Sequence, residues 1–167
     1  AESLLKTGKD SVFKEKDITT KDENGVEKTT KGYDTDAIYK AVSAFADDYN
    51  SVLSAAAKSK NSSVVSTASN MVQQTVANEK MLSRIGITIG EDNKLSVDEK
   101  KLKAADMTTV KSMMNGNGSF AYGVQTKASF ISMYAKNDQN KASGVYGSSA
   151  TYTASLFSNG DIWNSFI

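Results

Sequence analysis

The chain has 167 residues, which is long enough to bury a core without disulfides or metals, and its 20 basic residues balance 19 acidic ones. Cysteine, histidine and proline do not occur, which excludes thiol nucleophiles, disulfides, the most common general base and the usual zinc ligands. A formal charge of +1 does not favour nucleic acid as a partner, and no apolar run is long enough to cross a bilayer. We therefore expect one helical domain (1–167) without enzymatic activity, cofactor or metal.

The first predicted elements are one short helix over residues 3–15 and a projecting β-hairpin at 16–31. In the hairpin, the dipeptide Asn24-Gly25 lies between two polar, threonine-rich strands. Asn-Gly is a strong signal for a two-residue turn between antiparallel strands. Because the strands carry few apolar side chains, the hairpin needs support from the rest of the molecule.

The clearest pattern is an apolar seam that follows Asp34 or Thr35, either of which can cap a helix. Its apolar positions are spaced alternately by four and three residues for about three heptads. This spacing is compatible with a coiled coil and with an ordinary amphipathic helix of a bundle. The seam residues are Ile38, Val42, Phe45, Tyr49, Val52 and Ala56.

A second helix is predicted after the break KSKNSS, and it would form an antiparallel pair with the first helix over about 35–84. Its smaller apolar side chains are expected to cover the seam. Gly86 then ends the helix, because glycine readily adopts a left-handed backbone. The expected apolar stripe comprises Val65, Ala68, Val72, Val76, Met81, Leu82 and Ile85.

The stretch 85-IGITIGEDNKLSVDEKKL-102 is typical either of a calcium loop or of a small hairpin that leads into a helix. A twelve-residue calcium loop that ends at Glu99 would place its first ligand on Thr88 and its required glycine on Asn93, so the loop reading fails. We predict instead that residues 87–89 pair with residues 94–96. Asp98 and Glu99 would then favour the positive N terminus of the next helix.

The last predicted elements are a helix that starts at Thr108, a long helix over about 119–136, and an extended segment at 138–167. The extended segment is rich in serine, glycine and tyrosine. Its terminal apolar residues, Ile162, Trp163 and Phe166, indicate a strand pair or a tail that docks on another surface.

The order of these motifs resembles the C-terminal region of the flagellar hook-associated protein 2 family, which forms the filament cap. The similarity lies in AVSAFADDYNSVLSAA (41–56) and KMLSRIGITIGEDNKLSVDEKKLKAADMTTVKSMM (80–114). The resemblance implies a coiled-coil-forming helical leg that packs with itself or with flagellin-like or other helical proteins, outside or on the surface of a bacterial cell. The matching residues are Phe45, Tyr49, Asn50, Leu82, Ile85, Gly86, Ile87, Leu95, Ser96, Asp98, Lys101, Leu102, Val110 and Met113.

These observations predict a mainly α fold, with an antiparallel helical hairpin or bundle of coiled-coil character and small β-hairpins. The predicted function is that of a non-enzymatic bacterial structural or assembly protein. The alternative is a secreted or surface helical interaction module, adhesin-like, in which residues 146–166 contact a ligand. The residues expected to serve packing or interaction are Ile38, Val42, Phe45, Tyr49, Val52, Leu82, Ile85, Ile162, Trp163 and Phe166.

Overall fold

The computed structural model is mostly helical and contains two small antiparallel β-hairpins, which confirms the predicted mainly α fold at this level. The structure describes residues 2–21, 23 and 25–142. The helix predicted for residues 3–15 ends already at Leu5, and a 3₁₀ turn at Gly8–Asp10 lies between it and the first strand. In chain order the elements are α1 (Glu2–Leu5), β1 (Lys16–Lys21), β2 (Glu27–Gly32), α2 (Thr35–Ala56), α3 (Ser62–Ala77), α4 (Glu79–Arg84), β3 (Ile87–Ile89), β4 (Leu95–Val97), α5 (Glu99–Ala104), α6 (Met107–Met114) and α7 (Phe120–Ala142).

Aspartate and asparagine side chains cap four of these helices. They accept hydrogen bonds from backbone N–H groups that have no partner within the first helical turn. Asp34, one of the two predicted caps, caps α2, and Asp98 caps α5, whereas α6 is capped by Asp106, two residues before the predicted start at Thr108. The cap bonds join Asp34 to Ala37 N (2.9 Å), Asn61 to Ser63 N (2.8 Å), Asp98 to Lys101 N (3.0 Å) and Asp106 to Thr109 N (3.0 Å).

Helix α2 forms the centre of the core, because its whole predicted seam from Ile38 to Ala56 is buried. The seam packs against several elements, namely α3, α7, β4 and α5. Phe45 meets Phe120 of α7 edge to face, with ring centroids 6.0 Å apart. The apolar periodicity of α2 is therefore satisfied within one chain.

Apart from Ala68, helix α3 buries different residues from those predicted. Val64, Ala68, Met71 and Thr75 are buried, whereas Val65 and Val76 are 47% and 48% exposed. The buried hydroxyl of Thr75 donates a hydrogen bond to the Met71 carbonyl oxygen (2.9 Å), which makes a polar residue acceptable in this stripe.

The main partner of α3 is α7 rather than α2. The predicted long antiparallel pair over 35–84 is therefore not the principal helix pair of the fold. Helix α3 also ends at Ala77, and α4 begins separately after Asn78.

Helix α7 reaches Ala142 rather than about residue 136, so residues 138–142 belong to a helix. The remainder of the predicted extended segment, 143–167, lies outside the described residues.

The hairpin β3–β4 pairs Ile87 with Val97 and Ile89 with Leu95, one residue later than predicted for the second strand. A side chain of α2 fixes this hairpin to the core. Asn50 Nδ2 donates a hydrogen bond to the Leu95 carbonyl oxygen (2.9 Å), and Leu95 N donates one to Asn50 Oδ1 (2.7 Å). The amide of Asn50 thus pairs with Leu95 as a neighbouring strand would.

Asn50→Asp is expected to lower the free energy of unfolding by about 2 kcal/mol, because a carboxylate cannot donate to the Leu95 carbonyl and instead repels it. Urea denaturation at neutral pH measures the loss. Ser51→Asp is the matched control, since it adds the same charge to α2 at an exposed position and should change stability by less than about 0.5 kcal/mol. Equal losses in the two variants would contradict a role for the paired hydrogen bonds.

The other hairpin, β1–β2, contains both predicted strands, but its last pair is Lys21 with Glu27, so five residues rather than the predicted two connect the strands. All residues of both strands except Gly32 are exposed. The hydroxyls of Thr19 and Thr29 lie 3.1 Å apart across the strands, and Lys16 Nζ bonds Asp34 Oδ2 (2.9 Å) at the base. That lysine and the cap bond to Ala37 N hold the pKa of the Asp34 carboxyl below its usual value, the cap bond having the larger effect. The hairpin is therefore connected to α2 mainly at its base.

Candidate interaction surface

The structure places seven of the predicted packing and interaction residues inside the core. Ile38, Val42, Phe45, Tyr49 and Val52 of α2 are buried, as are Leu82 at the end of α4 and Ile85 just after it. Their side chains are covered by the same chain and do not form a surface for a partner. The other three, Ile162, Trp163 and Phe166, lie outside the described residues.

Tyr49 is the largest of these buried side chains, and its hydroxyl has no hydrogen-bond partner among the described residues. Burial raises the pKa of Tyr49, and the neighbouring Thr75 hydroxyl partly offsets that rise. The Thr75 hydroxyl donates its proton to Met71 O (2.9 Å), and no described group meets hydrogen-bond geometry to the Tyr49 hydroxyl. The phenol ring therefore serves packing, while its hydroxyl loses hydration without compensation.

Tyr49→Phe is expected to leave the free energy of unfolding unchanged or to raise it by up to about 1 kcal/mol, because removal of a buried polar atom without a partner relieves a desolvation cost. Thermal melting compares the variant with the parent. Tyr122→Phe, at an exposed site on α7, serves as the control and should have no effect. A marked loss of stability in Tyr49→Phe would show that the hydroxyl is hydrogen-bonded in solution.

Helices α3 and α7 run antiparallel and approach closely. Gln74 of α3 lies directly over Gly123 of α7, where an added Cβ would come 2.2 Å from Gln74 Nε2. Gln74 Oε1 also accepts a hydrogen bond from Lys127 Nζ (2.6 Å). Near the opposite end, Asn61 Nδ2 donates to the Tyr134 carbonyl oxygen (3.3 Å). The polar side chains Gln74 and Asn61 therefore fix the pairing of these two helices.

The exposed surface of α3 is unusual because it carries no charge. Residues 61–78 include no aspartate, glutamate, lysine or arginine. Exposed helix faces normally carry charged residues, whereas the buried centres of protein interfaces are depleted of them. The exposed α3 side chains are instead hydroxyls, amides, two valines and the methyl group of Ala77. This composition marks α3 as the candidate interaction surface.

Val65, Val72 and Val76, hereafter the valine stripe, lie seven and four residues apart and so occupy one side of α3. At about 100° per residue, the valine stripe and Gln74 fall on opposite sides of the buried stripe. Since Gln74 contacts α7, the valine stripe faces away from α7. Val65 and Val76 are each about half exposed, and Val72 is partly buried. The sequence signal that indicates this surface is the charge-free run itself.

Three acidic residues of the stretch considered as a calcium loop, Asp92, Asp98 and Glu99, make local contacts. Asp92 accepts a hydrogen bond from Lys94 N (3.1 Å) and pairs with Lys94 Nζ (2.9 Å), which lowers the pKa of the Asp92 carboxyl. Asn93 adopts a φ of 61° in the same turn. Nowhere in the described ranges do three acidic side chains come together as a metal site would require.

Lys103 joins α5 to α2. Its Nζ lies 2.5 Å from both Asp36 Oδ1 and Glu99 Oε1, and 5.6 Å from the centre of the Tyr39 ring. These contacts raise the pKa of the Lys103 ammonium, with the bond to Asp36 having the largest effect. Because Asp36 and Glu99 are well exposed, this cluster stabilises the fold only modestly.

The part of the chain that the structure describes has no helix with the length and apolar character needed to cross a membrane. Comparison with protein-family models, curated proteins and solved structures finds no match to the chain. The resemblance to the filament cap family therefore rests on the sequence motifs alone.

Proposed function

We propose that the chain is a non-enzymatic helical module that assembles with other helical proteins outside or on the surface of a bacterial cell, in a role similar to the leg of a filament cap. The observation that carries this proposal is the valine stripe on the charge-free helix α3. Valines that are about half exposed, surrounded by hydroxyl and amide side chains, suit a helix that approaches closely from outside. The partner is a flagellin-like helical protein or a second copy of the chain.

We assign to α3 the coiled-coil contact with a partner helix that the sequence led us to expect. The α2 seam is buried within the chain, which leaves it unable to bind another helix. Val65 and Val72 are one heptad apart, and the buried Ala68 lies between them in the same pattern. The small side chains of α3 would let the backbone of a partner helix come near.

The test uses a double variant, Val65→Lys with Val76→Lys, whose side chains remain in solvent and should not disturb the core. Sedimentation velocity measures association of the chain with itself and with flagellin encoded by the same genome. We expect the parent to form a complex that the double variant does not form, while both melt at the same temperature when diluted until neither associates. The matched control places lysines at Ile18 and Val26, which are exposed apolar residues of the hairpin region.

The outcome that overturns the proposal is a parent chain that stays monomeric and does not bind the flagellin, or a double variant that binds as well as the parent. Loss of binding in the hairpin control alone would also exclude α3 as the surface.

The hairpin β1–β2 favours a second function, that of a secreted or surface adhesin-like module. Its strands are exposed on both faces, and an edge of a two-stranded sheet offers backbone groups that an extended peptide can pair with. In that case binding to host cells or cell-wall fragments should be lost in the Ile18→Lys, Val26→Lys variant and retained when the lysines are on α3.

A further inference from the structure

A cleft of about 520 Å³ lies between the segment that joins α1 to β1 and the last turn of α6. Its volume is within the range of about 300–1,000 Å³ that is typical of small-molecule sites. Phe13 lines the cleft and is otherwise buried in the core. Asn115, which follows α6, connects the two walls, because its Nδ2 donates hydrogen bonds to the carbonyl oxygens of Leu4 and Lys6. The Asn115 amide therefore fixes the positions of the two walls relative to each other.

Two ammonium groups line this cleft, one from each wall. Lys14 belongs to the segment before β1, and Lys111 belongs to the last turn of α6. None of the ion pairs between described side chains includes either lysine. The one carboxylate of the lining, Glu15, accepts a hydrogen bond from the Tyr33 hydroxyl (3.4 Å). Two ammonium groups and one carboxylate leave a net positive charge in the cleft, which attracts an anion.

The other polar groups of the lining include both donors and acceptors of hydrogen bonds. The Thr7 hydroxyl does not cap the 3₁₀ turn that follows it, and Ser11 Oγ accepts from Phe13 N (3.1 Å) and keeps its own proton to donate. The Asn115 amide, whose Nδ2 is used within the chain, offers its Oδ1 as an acceptor, and the Glu15 carboxylate accepts only. An inorganic anion uses donors alone, whereas a sugar hydroxyl both donates and accepts. The lining therefore suits a sugar that carries an anionic group.

We infer that this cleft binds a small acidic sugar, that is, a sugar with a carboxylate or a phosphate group. The anionic group lies between Lys14 and Lys111 and forms charge-assisted hydrogen bonds with both ammonium groups. The sugar hydroxyls form hydrogen bonds with Thr7, Ser11 and Glu15. This inference goes beyond the proposed function and does not depend on it, because the cleft and the valine stripe belong to different elements.

Titration of the full chain, followed by heteronuclear NMR at physiological salt, tests the inference with glucuronate, glucose 6-phosphate and neutral glucose. We expect an acidic sugar to cause saturable shifts of the backbone amide signals of residues 7–15 and 111–115. Glucose should bind at least about tenfold more weakly, since it lacks the charge-assisted hydrogen bonds. The tighter of the two acidic sugars identifies the anionic group that the cleft prefers.

Lys14→Gln with Lys111→Gln should weaken binding of the acidic sugar at least about tenfold. Because both lysines are exposed, the helical circular dichroism of this double variant should remain that of the parent. The matched control is Lys6→Gln with Lys9→Gln, which removes two charges from exposed lysines of the same segment that do not line the cleft. This control should bind the acidic sugar as tightly as the parent does.

The inference is overturned if neither acidic sugar gives saturable shifts, or if glucose binds as tightly as the acidic sugars. Equal affinity for inorganic phosphate and glucose 6-phosphate would also overturn it, because the cleft would then recognise an anion alone. So would equal binding by the two double lysine variants, which would exclude a specific role for Lys14 and Lys111. In sedimentation velocity the Lys14→Gln, Lys111→Gln variant should associate like the parent, so failure of the sugar site and failure of α3 as a surface are separate results.

Discussion

Phe45→Ala should lower the free energy of unfolding by about 3–5 kcal/mol, the range for truncation of a fully buried phenylalanine. Phe45 lies at the middle of α2, is 1% exposed and meets Phe120 of α7 edge to face. Removal of its ring leaves a cavity between the two helices that the surrounding side chains fill only in part. Urea or thermal denaturation of the variant and the parent measures the loss.

Phe130→Ala is the control. Because the Phe130 ring is partly exposed, its removal should lower the free energy of unfolding by only about 1 kcal/mol. Measured in the Val65→Lys, Val76→Lys background, which removes association through α3, the melting temperature of Phe45→Ala should be independent of protein concentration, since the α2 seam is covered within one chain. A melting temperature that falls on dilution in that background would place Phe45 in a contact between chains.

Gly86→Ala should lower the free energy of unfolding by about 3 kcal/mol. Gly86 has a φ of +80°, a left-handed conformation that costs an L-residue about 1–2 kcal/mol. An added Cβ would also lie 2.9 Å from Leu102 N, 2.9 Å from Lys101 Cβ and 3.1 Å from Asp98 O. Two of these three atoms belong to the backbone of α5 and its cap, which cannot rotate away, so overpacking adds about 1–3 kcal/mol. Chemical denaturation measures the effect.

Gly116→Ala separates the two contributions. Gly116 has nearly the same φ, +82°, but no atom lies within 4 Å of the Cβ position. Gly116→Ala should therefore lower the free energy of unfolding by only the conformational cost of about 1–2 kcal/mol. If both variants lose the same stability, the close approach of α5 to Gly86 has no energetic consequence and the larger estimate for Gly86 is wrong.

Local signals predicted α2 and its surroundings well. The seam from Ile38 to Ala56, the cap at Asp34 and the left-handed Gly86 all depend on residues within a few positions of each other. Such features follow from helical periodicity and from the backbone preferences of aspartate and glycine. The two hairpins were also predictable, although β4 begins one residue later than predicted and five residues rather than two connect β1 to β2.

Helix α3 shows what the sequence could not determine. The adjacent valines Val64 and Val65 allow two inward faces, and the choice depends on where α7 and α2 lie. The pairing of Gln74 with Gly123 and Lys127 joins residues about fifty positions apart, and a glycine within a helix gives no local indication of such a contact. The valine stripe was therefore predicted to be covered, although the lack of charge around it was visible in the sequence.

The bond between Asn50 and Leu95 also bears on how the chain avoids aggregation. The edge strand of a small sheet presents unpaired N–H and C=O groups, which are a template for strands of other molecules. At Leu95 both groups are already bonded to the Asn50 side chain, so the outer edge of β4 cannot accept another strand at its first residue. Asn50→Leu would keep a side chain of similar size while opening that edge. Such a chain should precipitate during refolding at concentrations where the parent remains clear, a defect that its melting temperature alone would not reveal.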